Sequence, residues 1–289
     1  MFYASRAIVA RRPFRATLGD LALLLPAVAL LGVFYLFPLF EILRISLVEP
    51  RPGLGNYVQL LTSAPLRQVF ITTFRVSALT TAIALVLGYL VAYVLVHGSA
   101  RLAKLMLVLV LLPFWISTLV RAFAWIVLLR GQGLINNLLL SLGLVGQPLD
   151  LMYNSIGVVT GMVHYMVPLA ILTIYAQMRG IDGRLVRAAR GLGAGPLEAF
   201  LRVFLPLSLP GIVAAAILIF ISSLGFFITP ALLGGGKSLM IAEYISFLIS
   251  DTLNWGLGTA LASTLAITVF ALLALLSRTV DLRHVFGGR

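Results

Sequence analysis

The chain has 289 residues, 61% of them hydrophobic and only 10% charged, and a mean hydropathy of +1.09 excludes a water-soluble fold of ordinary composition. The formal charge of +12 does not mark a nucleic-acid binder, because the basic residues lie between long apolar runs and do not collect on one exposed face. There is no cysteine, so disulfides, thiolate metal sites and cysteine nucleophiles are all excluded.

In chain order, a basic arm from Met1 to Arg15 leads into an apolar run, Leu21 to Phe40. Glu41, Arg44 and Glu49 follow without a small-residue cleavage pattern, so the run reads as a retained first span and not as a signal peptide. A helix crossing about 30 Å of hydrocarbon needs roughly 20 apolar residues. Further runs of that order are Val76 to Val96, Leu105 to Val120 continuing past Arg121 to Leu129, Leu151 to Met178, Val203 to Gly236, and Thr252 to Ser277. The fifth is too long for one crossing, and Pro230 with Gly234, Gly235 and Gly236 is expected to end its helix in an external loop. Ser238 to Ser250 is expected to form a short external or re-entrant helix. The chain therefore predicts an all-α membrane protein of six spans in one bundle, the first peripheral to the next five.

An even number of spans places both termini on one side. Most of the 21 Lys and Arg residues fall in the N-terminal arm, the second and fourth loops and the tail, which the positive-inside rule assigns to the cytoplasm. Only Arg51, Arg67, Arg130 and Lys237 fall on the other side, while Arg44, Arg75 and Arg121 lie in or at the edge of spans.

Between the fourth and fifth runs, Arg179 to Pro210 is long for a connection but patterned like structure. Asp182 is placed to cap a helix over Gly183 to Leu192; Gly193 and Gly195 break it, and Pro196 suits the first position of a second helix with Glu198 in its first turn. Leu197, Phe200, Leu201 and Phe204 give that helix one apolar stripe. Such a stripe fits a helix on the bilayer surface with Arg202 at the headgroups, or a protein contact. The small residues Ala188, Ala189, Gly191, Gly193 and Ala194 favour the contact, since small side chains let another backbone approach.

This loop resembles the permeases of type I ATP-binding-cassette importers. Their pattern is Glu-Ala-Ala, three residues, Gly, nine residues, Ile, one residue, Leu-Pro. Ala188, Ala189, Gly193, Leu205 and Pro206 match it; Arg187 stands in place of the acid and Val203 in place of Ile. The resemblance runs over about residues 69–278, with further similarity at Gly55, Asn56 and Tyr57. Leu112 to Trp115, Leu119 to Arg121 with Trp125, and Gly133 to Asn136 look like the spermidine/putrescine branch.

What the resemblance implies is a MetI-like permease bundle in a bacterial inner membrane, both termini cytoplasmic. Residues 1–68 would form the arm, first span and external loop, 69–278 the permease domain with a coupling loop at 179–208, and 279–289 a tail. It also implies a second, different permease chain, two ATPase subunits gripping Arg187, Ala188, Ala189, Gly193, Leu205 and Pro206, and a periplasmic solute-binding protein. ATP and magnesium would sit on the partner ATPase and no cofactor on this chain, which has no GxxxxGK[ST] loop to cradle phosphates. Pro206 and Pro210 either hinge the loop to the fifth span or only mark helix ends.

An ionised side chain in hydrocarbon needs a partner or a wet cavity. Arg121 either faces the solute pathway or pairs with a carboxylate near the external end. Glu41, Glu243 and Asp251 suit a cationic cargo, or are solvated rim charges. Trp115, Trp125, Tyr244 and Trp255 stack on an amine or form the interfacial belt. His97 and His164 have no metal-ligand spacing, and Tyr165 and Pro168 fit the family's fourth span without an assigned role. An intramembrane enzyme lacks its motifs here, with no GxSxG serine and no HExxH site. An ion-gradient-driven carrier remains the rival, separable by whether uptake needs ATP.

Overall fold

The computed structural model describes residues 18–279, and its regular elements are all helices. Arg6, Arg11, Arg12, Arg15, Arg283 and Arg289 lie outside the described residues. Six apolar stretches of spanning length occur, Leu23–Val48, Ala64–His97, Thr118–Ser141, Ser155–Arg179, Pro196–Leu224 and Trp255–Leu275.

The first is α1 (Leu18–Leu31) joined through a π turn at Gly32–Leu36 to α2 (Phe37–Val48). None of its most apolar window is buried, and α2 lies along the last helix. A short α3 (Gly55–Thr62) follows. Its buried Asn56 donates from Nδ2 to the carbonyls of Ser46, at 2.9 Å, and Glu49, at 2.7 Å, while the Tyr57 hydroxyl meets Ser46 Oγ at 2.7 Å. These bonds satisfy carbonyls that the end of α2 leaves free, which is the physical use of the Gly-Asn-Tyr segment.

The core is α4 (Ala64–His97), α8 (Ser155–Arg179) and α11 (Leu205–Leu224), packed around Ala84, Ala92, Met166, Ala170, Ile174, Ala215 and Ile219. Lipid gives no hydrophobic drive for helix association, so close backbone approach through small residues must supply the contact. A Cβ on Gly88 of α4 would lie 2.5 Å from Ala170 Cβ of α8, and one on Gly211 of α11 would lie 2.5 Å from Gln177 Cβ of α8. Pro168 and Pro210 lie inside helices that continue past them, so Pro210 does not end one.

The third crossing departs from the single helix expected over Leu105 to Leu129. It consists of α5 (Ala100–Leu111), a 3-10 turn at Leu112–Trp115, and α6 (Thr118–Leu129), with Ile116 extended between them. Pro113 has no N–H to continue the helical ladder, which explains the break. By apolar length the crossing would be Thr118–Ser141, but Leu109, Val110 and Pro113 share a cavity with Val163 and Val167 of α8, and α7 (Leu134–Ser141) is turned off after Arg130. Arg101 and Lys104 fall on α5, not in a loop.

The fifth run is also divided. Its helix stops at Leu224, and Pro230 lies within a separate α12 (Ile228–Leu233) instead of ending the span. Gly234 to Gly236 then turn the chain into α13 (Ile241–Ser250), whose first N–H is held by the buried Thr73 Oγ1 of α4 at 2.9 Å. The last helix is α14 (Trp255–Thr279).

Candidate functional site

Two regions gather the residues singled out by the sequence. The first is the elbow between α8 and α11. Asp182 Oδ1 accepts the Arg184 N–H at 2.8 Å and opens α9 (Gly183–Gly191). At its other end Gly193 donates to the Arg190 carbonyl and Ala194 to the Ala189 carbonyl, each at 3.1 Å, with Gly193 at φ +96°. This is a Schellman closure, and it needs the left-handed conformation that glycine supplies. A Cβ at Gly193 would meet nothing within 4 Å, so the demand is conformational and not steric.

Pro196 then opens α10 (Pro196–Ala199), which passes through a π turn at Phe200–Phe204 directly into α11. The expected separate surface helix is therefore the start of the fifth span. Its stripe splits as well. Leu197 and Leu201 are exposed, whereas Phe204 is buried and Phe200 half-buried against α4. The extra residue in the π turn rotates the register and sends the phenylalanines inward. Phe200 and Phe204 lie edge-on to Tyr93 at 5.6 and 5.4 Å, Phe204 meets His97 at 5.0 Å, and Tyr89 bonds Ser208 Oγ at 3.1 Å. His97 is thus a packing residue at the foot of the elbow.

Outside this anchor, Arg187 and Ala188 are exposed and Ala189 is half-buried. Ala189, Gly193 and Ala194 face Glu198, Ala199 and Arg202 across a groove of about 340 Å³. Leu192, at the lip, is 91% exposed. Leu205 and Pro206 are the first residues of α11, Leu205 half-buried and Pro206 exposed.

The second region lies between α6 and α8, away from the elbow. The Arg121 guanidinium sits 4.4 Å from the centre of the Tyr165 ring, and its Nη2 reaches Thr118 Oγ1 at 3.4 Å. Among the described residues no carboxylate lies within 4 Å of it, so of the two readings of Arg121 the carboxylate pair is not formed, and the guanidinium makes a cation–π contact instead. Phe226, after the end of α11, meets the same tyrosine at 4.9 Å. Trp125 donates from Nε1 to His164 Nδ1 at 3.1 Å, beside an apolar cavity of about 480 Å³. Trp115 does not join this group and is 92% exposed.

Glu243 and Asp251 border a cavity of about 400 Å³ with Phe227, Tyr244 and Phe247. Glu243 Oε2 is buried without a hydrogen-bond partner. Burial raises its carboxyl above the ordinary 4.5, opposed by the Met240 backbone N–H. Glu41 lies elsewhere, paired with Arg44 at 2.7 Å. Sequence reasoning gave Tyr165 and Phe226 no role. Their signal is only that each is an aromatic residue three to four positions from a helix-disturbing Pro or Gly, which single-sequence reading does not resolve.

Residues 84–282 match the family described as binding-protein-dependent transport system inner membrane component. The chain is 35% identical over 224 residues to the spermidine/putrescine transport system permease protein PotB of Haemophilus influenzae, covering 74% of this chain and 78% of that protein. It is 33% identical over 217 residues to PotB of Escherichia coli K12, covering 75% and 78%. Among solved structures, it resembles a chain of a bacterial ABC transporter involved in the import of the acidic polysaccharide alginate, with a TM-score of 0.73 at 19% identity, covering 90% of this chain and 93% of that one.

Proposed function

The chain belongs to the family of binding-protein-dependent transport inner membrane components, and from that premise we propose how it works as a permease subunit of an ATP-binding-cassette importer. It forms half of a path for a small cationic solute, a polyamine of the spermidine or putrescine class, beside a second and different permease. Two cytosolic ATPase subunits carry ATP and magnesium, and an external binding protein delivers the solute. The observation that carries this is the continuity of the elbow with the fifth span: Ala188, Ala189 and the Gly193 closure lead through Pro196 into one helical stretch ending at Leu224.

That stretch has 29 residues, about 43 Å of helix. Its near end is clamped to α4 by the Tyr93, Phe200 and Phe204 rings, and its far end leads to Phe226 on Tyr165 beneath Arg121. A packed core of this kind moves as rigid pieces between discrete arrangements. Closure of the ATPases on Ala188, Ala189 and Gly193 therefore displaces the Phe226 end, opening the path to one side and then the other. Arg187, Leu205 and Pro206 complete the gripped surface, and Pro206, at the second position of α11, leaves the junction short of one N–H bond. In this reading the elbow and both termini face the cytosol, which the Lys/Arg distribution supports.

Glu243 and Asp251 supply negative charge, and Phe227, Tyr244 and Phe247 supply aromatic faces, which together suit an alkylammonium chain. Trp125 borders the apolar cavity beside His164, and with Arg121 and Trp115 it completes the candidate pathway residues. The test is uptake of labelled spermidine into proteoliposomes holding the assembled transporter and its binding protein. Uptake is expected with ATP inside reach of the ATPases and not with an ion gradient alone; gradient-driven uptake by this chain in isolation would contradict the proposal.

A further inference from the structure

The outer face of α9 carries charge that nothing in the described chain answers. At 100° per residue Arg184, Arg187 and Arg190 fall within about 120° of arc, and all three are exposed. Val186 packs against the core about 160° around the helix from Arg184 and about 100° from Arg187, so these two point away from the bundle, while Arg190, about 40° from Val186, is exposed at the edge of the packed side. The elbow has two carboxylates. Asp182 caps the first turn, and Glu198 is paired with Arg202 at 3.0 Å. Among the described residues no carboxylate lies within 4 Å of Arg184, Arg187 or Arg190.

These charges do not serve the helix itself. Arg184 stands in the first turn, where the helix dipole disfavours a cation, and only Arg190 in the last turn is favourably placed. A bilayer-surface helix would sink an apolar face beside its arginines. Here Val186 is spent on the protein core, and the exposed Leu185 and Leu192 share one side of α9, with Leu192 at the lip of a groove lined by the small residues Ala189, Gly193 and Ala194. That shape fits a protein surface, and the unanswered charge fixes its sign. Arg187 also stands where the importer pattern has an acid.

Resting on the assignment of the elbow as the ATPase handle, we propose that the ATPase of this system meets α9 with a carboxylate-lined rim opposite Arg184, Arg187 and Arg190, so that the permease selects its motor by charge. Complementary rims of this kind govern partner choice and association rate more than final affinity.

The test uses the complex purified through a tag on this chain into nanodiscs of phosphatidylcholine alone, with retained ATPase subunit and ATP turnover measured. Raising salt from about 0.15 M to about 1 M cuts the screening length from about 8 Å to about 3 Å. The wild type should lose ATPase at high salt. The triple variant R184Q/R187Q/R190Q should bind about tenfold more weakly at low salt and lose most of its salt dependence, while R184K/R187K/R190K should retain both. Wild-type retention and salt response in the Gln variant would overturn the proposal. So would a defect seen only when phosphatidylglycerol is added to the discs, which would assign the arginines to lipid. Leu192→Arg, a steric block in the same elbow, separates the two levels. If it releases the ATPase while the Gln variant does not, the charge rim is wrong and the handle stands; if neither does, the handle itself is wrong.

Discussion

The Arg121 guanidinium carbon lies 4.4 Å from the centre of the Tyr165 ring, joining the broken third crossing to α8 without a carboxylate. Such a contact is worth about 0.5–2 kcal/mol depending on how dry it is. Tyr165→Phe keeps the ring and should keep both melting temperature and uptake near wild type. Tyr165→Leu should lower the melting temperature in detergent and reduce uptake severalfold, because Phe226 loses its seat as well. Equal behaviour of the two variants would show that the ring face is not what holds the arginine.

Gly193 is a backbone requirement. At φ +96° with open space around it, a side chain adds strain of about 1–2 kcal/mol and no clash. Gly193→Ala should insert normally and melt only slightly below the wild type, yet lose most ATP-driven uptake. Gly193→Asn should fall between them because asparagine tolerates the left-handed region. A proteoliposome assay of the three proteins decides this.

At Gly88 the demand is steric. Its Cβ would collide with Ala170, so Gly88→Leu should destabilise by at least about 1–3 kcal/mol and lower the yield of folded protein. Gly191→Ala, where a Cβ meets nothing within 4 Å, should be nearly neutral. Detergent melting curves measure both.

Glu243 gives opposite signs for stability and transport. Its carboxyl is raised by burial, so the folded chain holds the proton more tightly than the unfolded one. Its favourable contribution is complete below the ordinary carboxylate range and is lost as pH rises through the raised value. Glu243→Gln should therefore match the wild type in acid and be the more stable protein at neutral pH. On the proposed role of Glu243 in holding the cation, wild-type uptake should climb with pH through that value, whereas the Gln variant stays low and flat. A pH series of melts and uptake rates checks both signs.

Much of the architecture was legible because apolar run length and the residues of the elbow are local signals. Asp182, Gly193 and Pro196 act within a turn of their own positions, and each stands where cap and breaker chemistry put it. The breaks at Leu112–Ser117 and Leu224–Ile228 were hidden inside continuous apolar sequence, since hydropathy does not register whether Pro113 continues a helix. The split of the Leu197 to Phe204 stripe depends on a π turn, which has no composition of its own. Arg121 and Tyr165 are 44 positions apart, and only helix packing brings them together.

The absence of cysteine allows one direct measurement on the elbow, because Leu192→Cys introduces a unique thiol at a residue that is 91% exposed. Its labelling by a membrane-impermeant maleimide can be followed in intact cells and in inverted vesicles, with the ATPase bound or stripped. The thiol should be silent from outside, react rapidly in stripped inverted vesicles, and be protected when the ATPase is restored. Labelling from outside, or an equal rate with and without the ATPase, would contradict a cytosolic handle held by a motor.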